Sequence, residues 1–234
     1  MTNSLKPYSM FAITAKLITH VDKAVHEAFP ASASQFVQQG IDAFGQEKVK
    51  AIAEQATREE EHHILNKYLA PEVTASESLT SQHTIYALMA KLFAEIAKPF
   101  VDTFGEKGKD AVREGVRTFG ESRGRGIAGR AEIKGYTNSM EHYLSSYDME
   151  RSELFEVETI FHENEIEQTF TKCPFGQQWA DDGTGEYGIL YCQMIDPAIA
   201  AGYNQDFEVE HDEYVLKEGQ CHFRFKMPEK ERND

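Results

Sequence analysis

The chain has 234 residues, 24 of them basic and 39 acidic, for a formal charge of −15; that charge repels phosphate and argues against nucleic acid or an anionic membrane as a general partner. A hydrophobic fraction of 41% with 15 Phe and 10 Tyr excludes wholesale disorder and suits one large domain or two closely packed lobes. The opening Met1–Pro7 lacks a basic and apolar leader, and Lys or Glu breaks every apolar run short of the ~18–20 residues of a spanning helix, so a cytoplasmic protein with three reduced cysteines is expected.

Residues 1–135 read as a helical part and 136–234 as an α+β part, the two forming one unit. Weak helical patterning over 34–69 is interrupted by Gly40 and Gly45, and 71–82, rich in Ser and Thr, reads as a connector. Ile85, Leu88, Met89, Leu92, Phe93, Ile96 and Phe100 recur at helical steps, and Pro99 is expected to end or kink that helix. Phe44-Gly45-Gln46-Glu47 and Phe104-Gly105-Glu106-Lys107 look like two similar helix starts. The run Glu59–His63 suits a solvated acidic face better than a metal cluster, because adjacent helical residues point in different directions.

Gly115 to Arg130 holds five glycines and several arginines. As a helix it would place Gly120, Gly124, Ala128 and Ala131 on one smooth strip that another backbone can approach. Arg123 falls near the face of Val116, Phe119 and Ile127, so its guanidinium turns inward and needs an anion. That anion is either an internal Asp or Glu or the carboxylate of a substrate, with Arg125 or Arg130 as second candidate cations.

From Ser152 the period changes to two: Phe155, Val157, Thr159 and Phe161 alternate with Glu156, Glu158 and Ile160, and Glu163-Asn164-Glu165 turns into a second strand reaching Cys173. After Asp182–Gly185 a helical stretch runs to Ile195. Asp196-Pro197 then opens a short helix that Gly202 closes. Two more strands, 207–215 and 221–225, complete an α+β fold: a helical N-terminal half packed on a C-terminal antiparallel sheet with interspersed helices.

Each cysteine has a plain and a chemical reading. Cys192 is a buried small side chain or a nucleophile one turn before Asp196, and Asp196 is a helix N-cap or the polar partner of that thiol. Cys173, beside Lys172, ends a strand as a core or site residue. Cys221 alternates with Phe223 and Phe225, and there the core reading leads. His142, His162, His211 and His222 are each candidate acids, and nothing in the sequence chooses among them.

Phe119-Gly120 with Arg123-Gly124, Cys173-Pro174, Tyr191-Cys192 with Ile195-Asp196, Gly202-Tyr203-Asn204 and Cys221-His222-Phe223-Arg224-Phe225 together resemble the L-2-amino-thiazoline-4-carboxylic acid hydrolase family over about 115–225. The resemblance implies a ring opening: water adds at the amidine carbon of a 2-aminothiazoline, the ring C–S bond breaks, and N-carbamoyl-L-cysteine results. It points to Cys192, Asp196 and Cys173 as catalytic residues and to Arg123, Arg125 and Asn204 as the substrate-binding set, with a small carboxylate substrate and no cofactor. The competing reading is a non-catalytic small-ligand or zinc-binding sensor module, since three thiols could converge on zinc with a carboxylate or water as fourth ligand. The C-terminal part is also distantly similar to four-vinyl-reductase-type sensor domains, but the expected close pair of late cysteines is missing, with Glu213 eight residues before Cys221. Homo-oligomerisation stays open.

Overall fold

The computed structural model describes residues 8–59, 62–148, 150 and 152–227. The opening segment 1–7, Glu60 and Glu61 lie outside them. Among the described residues seven α-helices come first: α1 (Met10–Ala28), α2 (Ala33–Phe44), α3 (Gln46–Thr57), α4 (Leu79–Gln82), α5 (Ile85–Phe104), α6 (Glu106–Ile133) and α7 (Met140–Tyr143). There follow β1 (Glu156–Phe161), β2 (Glu165–Lys172), α8 (Pro174–Asp181), α9 (Gly185–Cys192), α10 (Ile195–Tyr203), β3 (Glu208–Glu213), α11 (Val215–Glu218) and β4 (Cys221–Lys226). The α+β reading holds: the helical half precedes one antiparallel sheet of order β1-β2-β4-β3.

The two similar helix starts are real. Gly45 and Gly105 both carry positive φ, at 108° and 57°, and each stands just before a helix, α3 and α6, where a side chain would be strained. Pro99 does not end its helix, which runs on to Phe104. Its ring removes the N–H that would have bonded to the Glu95 carbonyl. Gly40 of α2 packs against that same carbonyl; a Cβ there would lie 2.5 Å from the Glu95 oxygen.

The small-residue strip does what its spacing predicts. A Cβ on Gly120 would meet the Ala198 Cβ at 2.6 Å, and one on Gly124 would collide with the Ile199 carbonyl oxygen and stand 2.6 Å from the Tyr203 nitrogen. Gly202 answers from α10 against the Glu121 carbonyl. It therefore packs inside α10 rather than closing it, and the helix ends at Tyr203. Because the atoms in the way are backbone, Gly124→Ala is expected to destabilise the protein by about 2–3 kcal/mol through overpacking. A urea denaturation midpoint unchanged from that of the wild type would contradict the contact.

The hairpin is also as read, with Val157 opposite Phe170 and Thr159 opposite Gln168. In the next pair Gln168 faces Phe223 and Phe170 faces Cys221, and beyond it His211 faces Phe223. Because side chains alternate between sheet faces, Val157, Gln168, Phe170, Cys221, Phe223 and His211 share the inner face. Two local expectations change. The helical stretch before Ile195 stops at Cys192, and Gln193 and Met194 form a turn ahead of α10. Asp196 is the second residue of α10 and not its N-cap, a position held by Met194; Pro197 fits the first turn, where its missing N–H is not needed.

Candidate active site

A cavity of about 330 Å³ lies between the inner sheet face and the helices. Its helical wall includes Arg123 from α6, Tyr191 and Cys192 from α9, and Ile195 and Asp196 from α10; the sheet supplies Gln168, Phe170, Cys221 and Phe223. Cys173, at the N-cap of α8, joins them. All three cysteines thus line one space, although they come from different elements. Cys221 keeps its core character, with the Val215 N–H donating to its sulfur at 3.2 Å, and it is a wall residue as well.

Arg123 is 7% exposed, and its internal anion is Asp148. Nη2 donates to Oδ1 at 2.6 Å and Nε to Oδ2 at 3.3 Å. Only the Nε/Nη2 edge is used in that side-on pair, and among the described residues Nη1 has no hydrogen-bond acceptor. Asp148 also draws in Arg130, whose Nη2 stands 3.6 Å from Oδ2 and whose Nε donates to the Ser146 carbonyl at 3.1 Å. Arg130 is therefore buried as well. Burial alone would raise the Asp148 carboxyl, but the two guanidiniums outweigh it and hold the group below the ordinary carboxylate range.

Asp196 is partly buried on the cavity wall. Among the described residues its carboxylate accepts no hydrogen bond. Burial pushes it up to about 6, and the nearby Arg123 charge offsets only part of the rise. The thiols move the same way. Burial drives Cys173 to about 11 and Cys221 to about 12. Cys192 is held well above its ordinary value, with Cys173, Cys221 and Asp196 adding to the effect of burial. At neutral pH, then, the cavity holds neutral thiols and one ionisable carboxylate free of any fixed partner.

Two expected binding residues stand elsewhere. Arg125 is exposed on α6 and does not line the cavity. Asn204 is occupied at the end of α10, donating to the Asn138 carbonyl at 2.7 Å and accepting from the Asp206 N–H at 2.9 Å. Of the four histidines, only His211 reaches the cavity wall. Its ring packs against Tyr214 and Phe223, and burial lowers it to about 4, so it is neutral. His162 and His222 bond to Glu167 on the opposite sheet face, and His142 stacks on Tyr136.

Sequence reasoning missed Asp148, Tyr143 and Tyr147, and took Tyr191 only as part of the family motif. Tyr143, Tyr147 and Tyr191 all line the cavity, and among the described residues their hydroxyls have no hydrogen-bond partner. The Arg123 guanidinium stands 5.5 Å from the centre of the Tyr147 ring. The one available signal for Asp148 was the inward Arg123, which demanded an acid without saying which.

Tetrahedral zinc holds its sulfur ligands about 3.8 Å apart. Among the described residues the one group of ligand atoms mutually within 4.8 Å is that of His162, Glu165 and Glu167, on the outer sheet face. The three cysteine sulfurs do not all lie within that distance of one another.

The architecture is that of an α+β protein whose helices and antiparallel sheet enclose a pocket lined by cysteines. Residues 85–225 match the family model described as L-2-amino-thiazoline-4-carboxylic acid hydrolase, and the chain belongs to that family. The matched span takes in α5, well upstream of Gly115. No curated protein is matched. Two solved structures resemble the chain in outline, both at 10% identity. One, described as "Probing the function of heme distortion in the H-NOX family", has a TM-score of 0.43 over 92% of this chain and 94% of its own. The other, "Modulating Heme Redox Potential Through Protein-Induced Porphyrin Distortion", has a TM-score of 0.36 over 91% and 99%. Likenesses this weak carry no argument about fold or function.

Proposed function

We propose that the protein is a hydrolase that opens a small cyclic amidine carboxylate, such as 2-aminothiazoline-4-carboxylate, to an N-carbamoyl amino acid. Family membership supports the reaction class. One observation carries the reading to residues: the Asp196 carboxylate, without a hydrogen-bond partner among the described residues, shares a cavity with Arg123 and with three thiols.

The substrate carboxylate meets Nη1 of Arg123, which Asp148 orients from the opposite edge. Asp196, ionised at neutral pH, takes a proton from a water as its oxygen attacks the amidine carbon. The ring nitrogen is protonated as the adduct forms, the adduct's hydroxyl gives up its own proton in exchange as the C=O forms and the ring C–S bond breaks, and Asp196 returns the first proton to the departing sulfur. The product is a ureido group and a free thiol, so one water is consumed and nothing else is needed. With protons held on them by burial, Cys192 and Cys173 orient the water and the ring.

The test is incubation with 2-aminothiazoline-4-carboxylate and measurement of the N-carbamoyl product by mass spectrometry. Wild type is expected to turn over, and Cys192→Ala and Cys173→Ala to lose about tenfold in kcat each, the worth of one orienting hydrogen bond. Complete loss in Cys192→Ala alongside a mass shift on Cys192 in the wild type would overturn the water mechanism in favour of a thiol nucleophile. No product from the wild-type protein would overturn the substrate.

A further inference from the structure

We infer that the substrate of this cavity carries an aromatic or bulky apolar substituent in addition to its amidine and carboxylate, an inference that rests on the hydrolase reading above. The first ground is size. The cavity holds about 330 Å³, whereas bonded atoms each take up less than the ~30 Å³ of a liquid water. A five-membered ring with one amino and one carboxylate group, about nine non-hydrogen atoms, falls well short of filling it.

The second ground is the character of the walls. Tyr143, Phe225, Phe223, Phe170, Phe155 and Phe175 all line the cavity and form a continuous arc, successive ring centroids standing 5.7 to 6.2 Å apart. Tyr191 extends it beyond Phe175 at 5.6 Å. Phe170, Phe223 and Phe225 come from the sheet, Phe155 from the residue before it, and Tyr143, Phe175 and Tyr191 from helices α7, α8 and α9, while Arg123 and Asp196 come from helices α6 and α10. A heterocycle held by those two polar groups therefore shares the cavity with this run of rings. Walls of this kind lose dispersion contacts over any gap a ligand leaves, and they favour offset or edge-on contact with a further ring.

The unsubstituted 2-aminothiazoline-4-carboxylate and its 5-phenyl derivative separate the possibilities. Affinity is read from the fluorescence of the single tryptophan, Trp179, which stacks on Phe175 at 5.9 Å, and turnover from mass spectrometry. The phenyl derivative is expected to bind about 10- to 100-fold more tightly, the gain from burying one phenyl group. Phe170→Leu and Phe223→Leu are each expected to shrink that ratio severalfold. Equal or weaker binding of the phenyl derivative by the wild-type protein overturns the inference, whatever the variants do. Hydrolysis of the parent compound in the same sample would leave the hydrolase reading intact, whereas tighter binding of the phenyl derivative with turnover of neither compound would overturn that reading and retain the aromatic preference.

Discussion

Asp148→Asn is expected to lower stability by about 3–5 kcal/mol, because it removes the one carboxylate shared by two buried guanidiniums and leaves Arg123 and Arg130 without it. For a chain of this size that corresponds to a fall in Tm of roughly 6–20 °C. Asn keeps the shape and one acceptor oxygen, so the loss reports charge and not a cavity. The pH dependence fixes the sign. A carboxyl held below its ordinary value stabilises the fold above the unfolded pKa, and that contribution is lost as pH falls through the folded one. Wild type therefore loses stability on acidification below about pH 4 that the variant has already lost, and the two Tm curves converge there. On the proposed mechanism substrate affinity is expected to fall too, because Asp148 holds the Arg123 guanidinium in place. A Tm change below about 2 °C at pH 7 would sink the account of the pair.

The Arg123–Asp148 pair also marks where sequence reasoning stops. The glycine strip was legible because small residues at helical spacing have few uses apart from close backbone approach, and Gly124 against Ile199 is such an approach. The hairpin was legible from its period of two. Burial of Arg123 followed from its helical neighbours, but its partner lies 25 residues on, past the end of α6 and in no regular element, where periodicity carries no information. Cys221 illustrates a different limit. Alternation with Phe223 and Phe225 put it on the inner sheet face, yet whether that face meets solid core or a cavity depends on how α9 and α10 stand off from the sheet. The N-cap reading of Asp196 fails, since Asp-Pro is a good helix opening by capping rules, but α10 starts two residues earlier, with Met194 at its N-cap, and frees the carboxylate.

That freedom sets the second prediction: Asp196→Asn is expected to lower kcat for ring opening by about 10²–10⁴-fold and, at pH 7.5, to make the protein more stable. The two effects have one cause. Burial lifts the carboxyl to about 6, so the folded protein holds it ionised at neutral pH at a penalty the unfolded chain does not bear. At ~1.4 kcal/mol per pH unit the displacement from an ordinary carboxyl bounds the penalty at about 3 kcal/mol, and contact with cavity water lowers it to roughly 1–2 kcal/mol. The expected gain in Tm is then about 2–8 °C. For a carboxyl raised on folding, the favourable contribution is complete below the unfolded pKa near 4 and is lost as pH rises through 6. The stabilisation by Asn should accordingly be seen at pH 7.5 and vanish near pH 4. On the proposed mechanism activity runs the opposite way: the base form is needed, so wild-type kcat/KM is expected to fall about tenfold per pH unit below 6. An Asp196→Asn protein with wild-type turnover would remove Asp196 from the chemistry. One inactive but no more stable at pH 7.5 would mean that the carboxylate has a partner in the folded protein, and would point to a positioning role in its place.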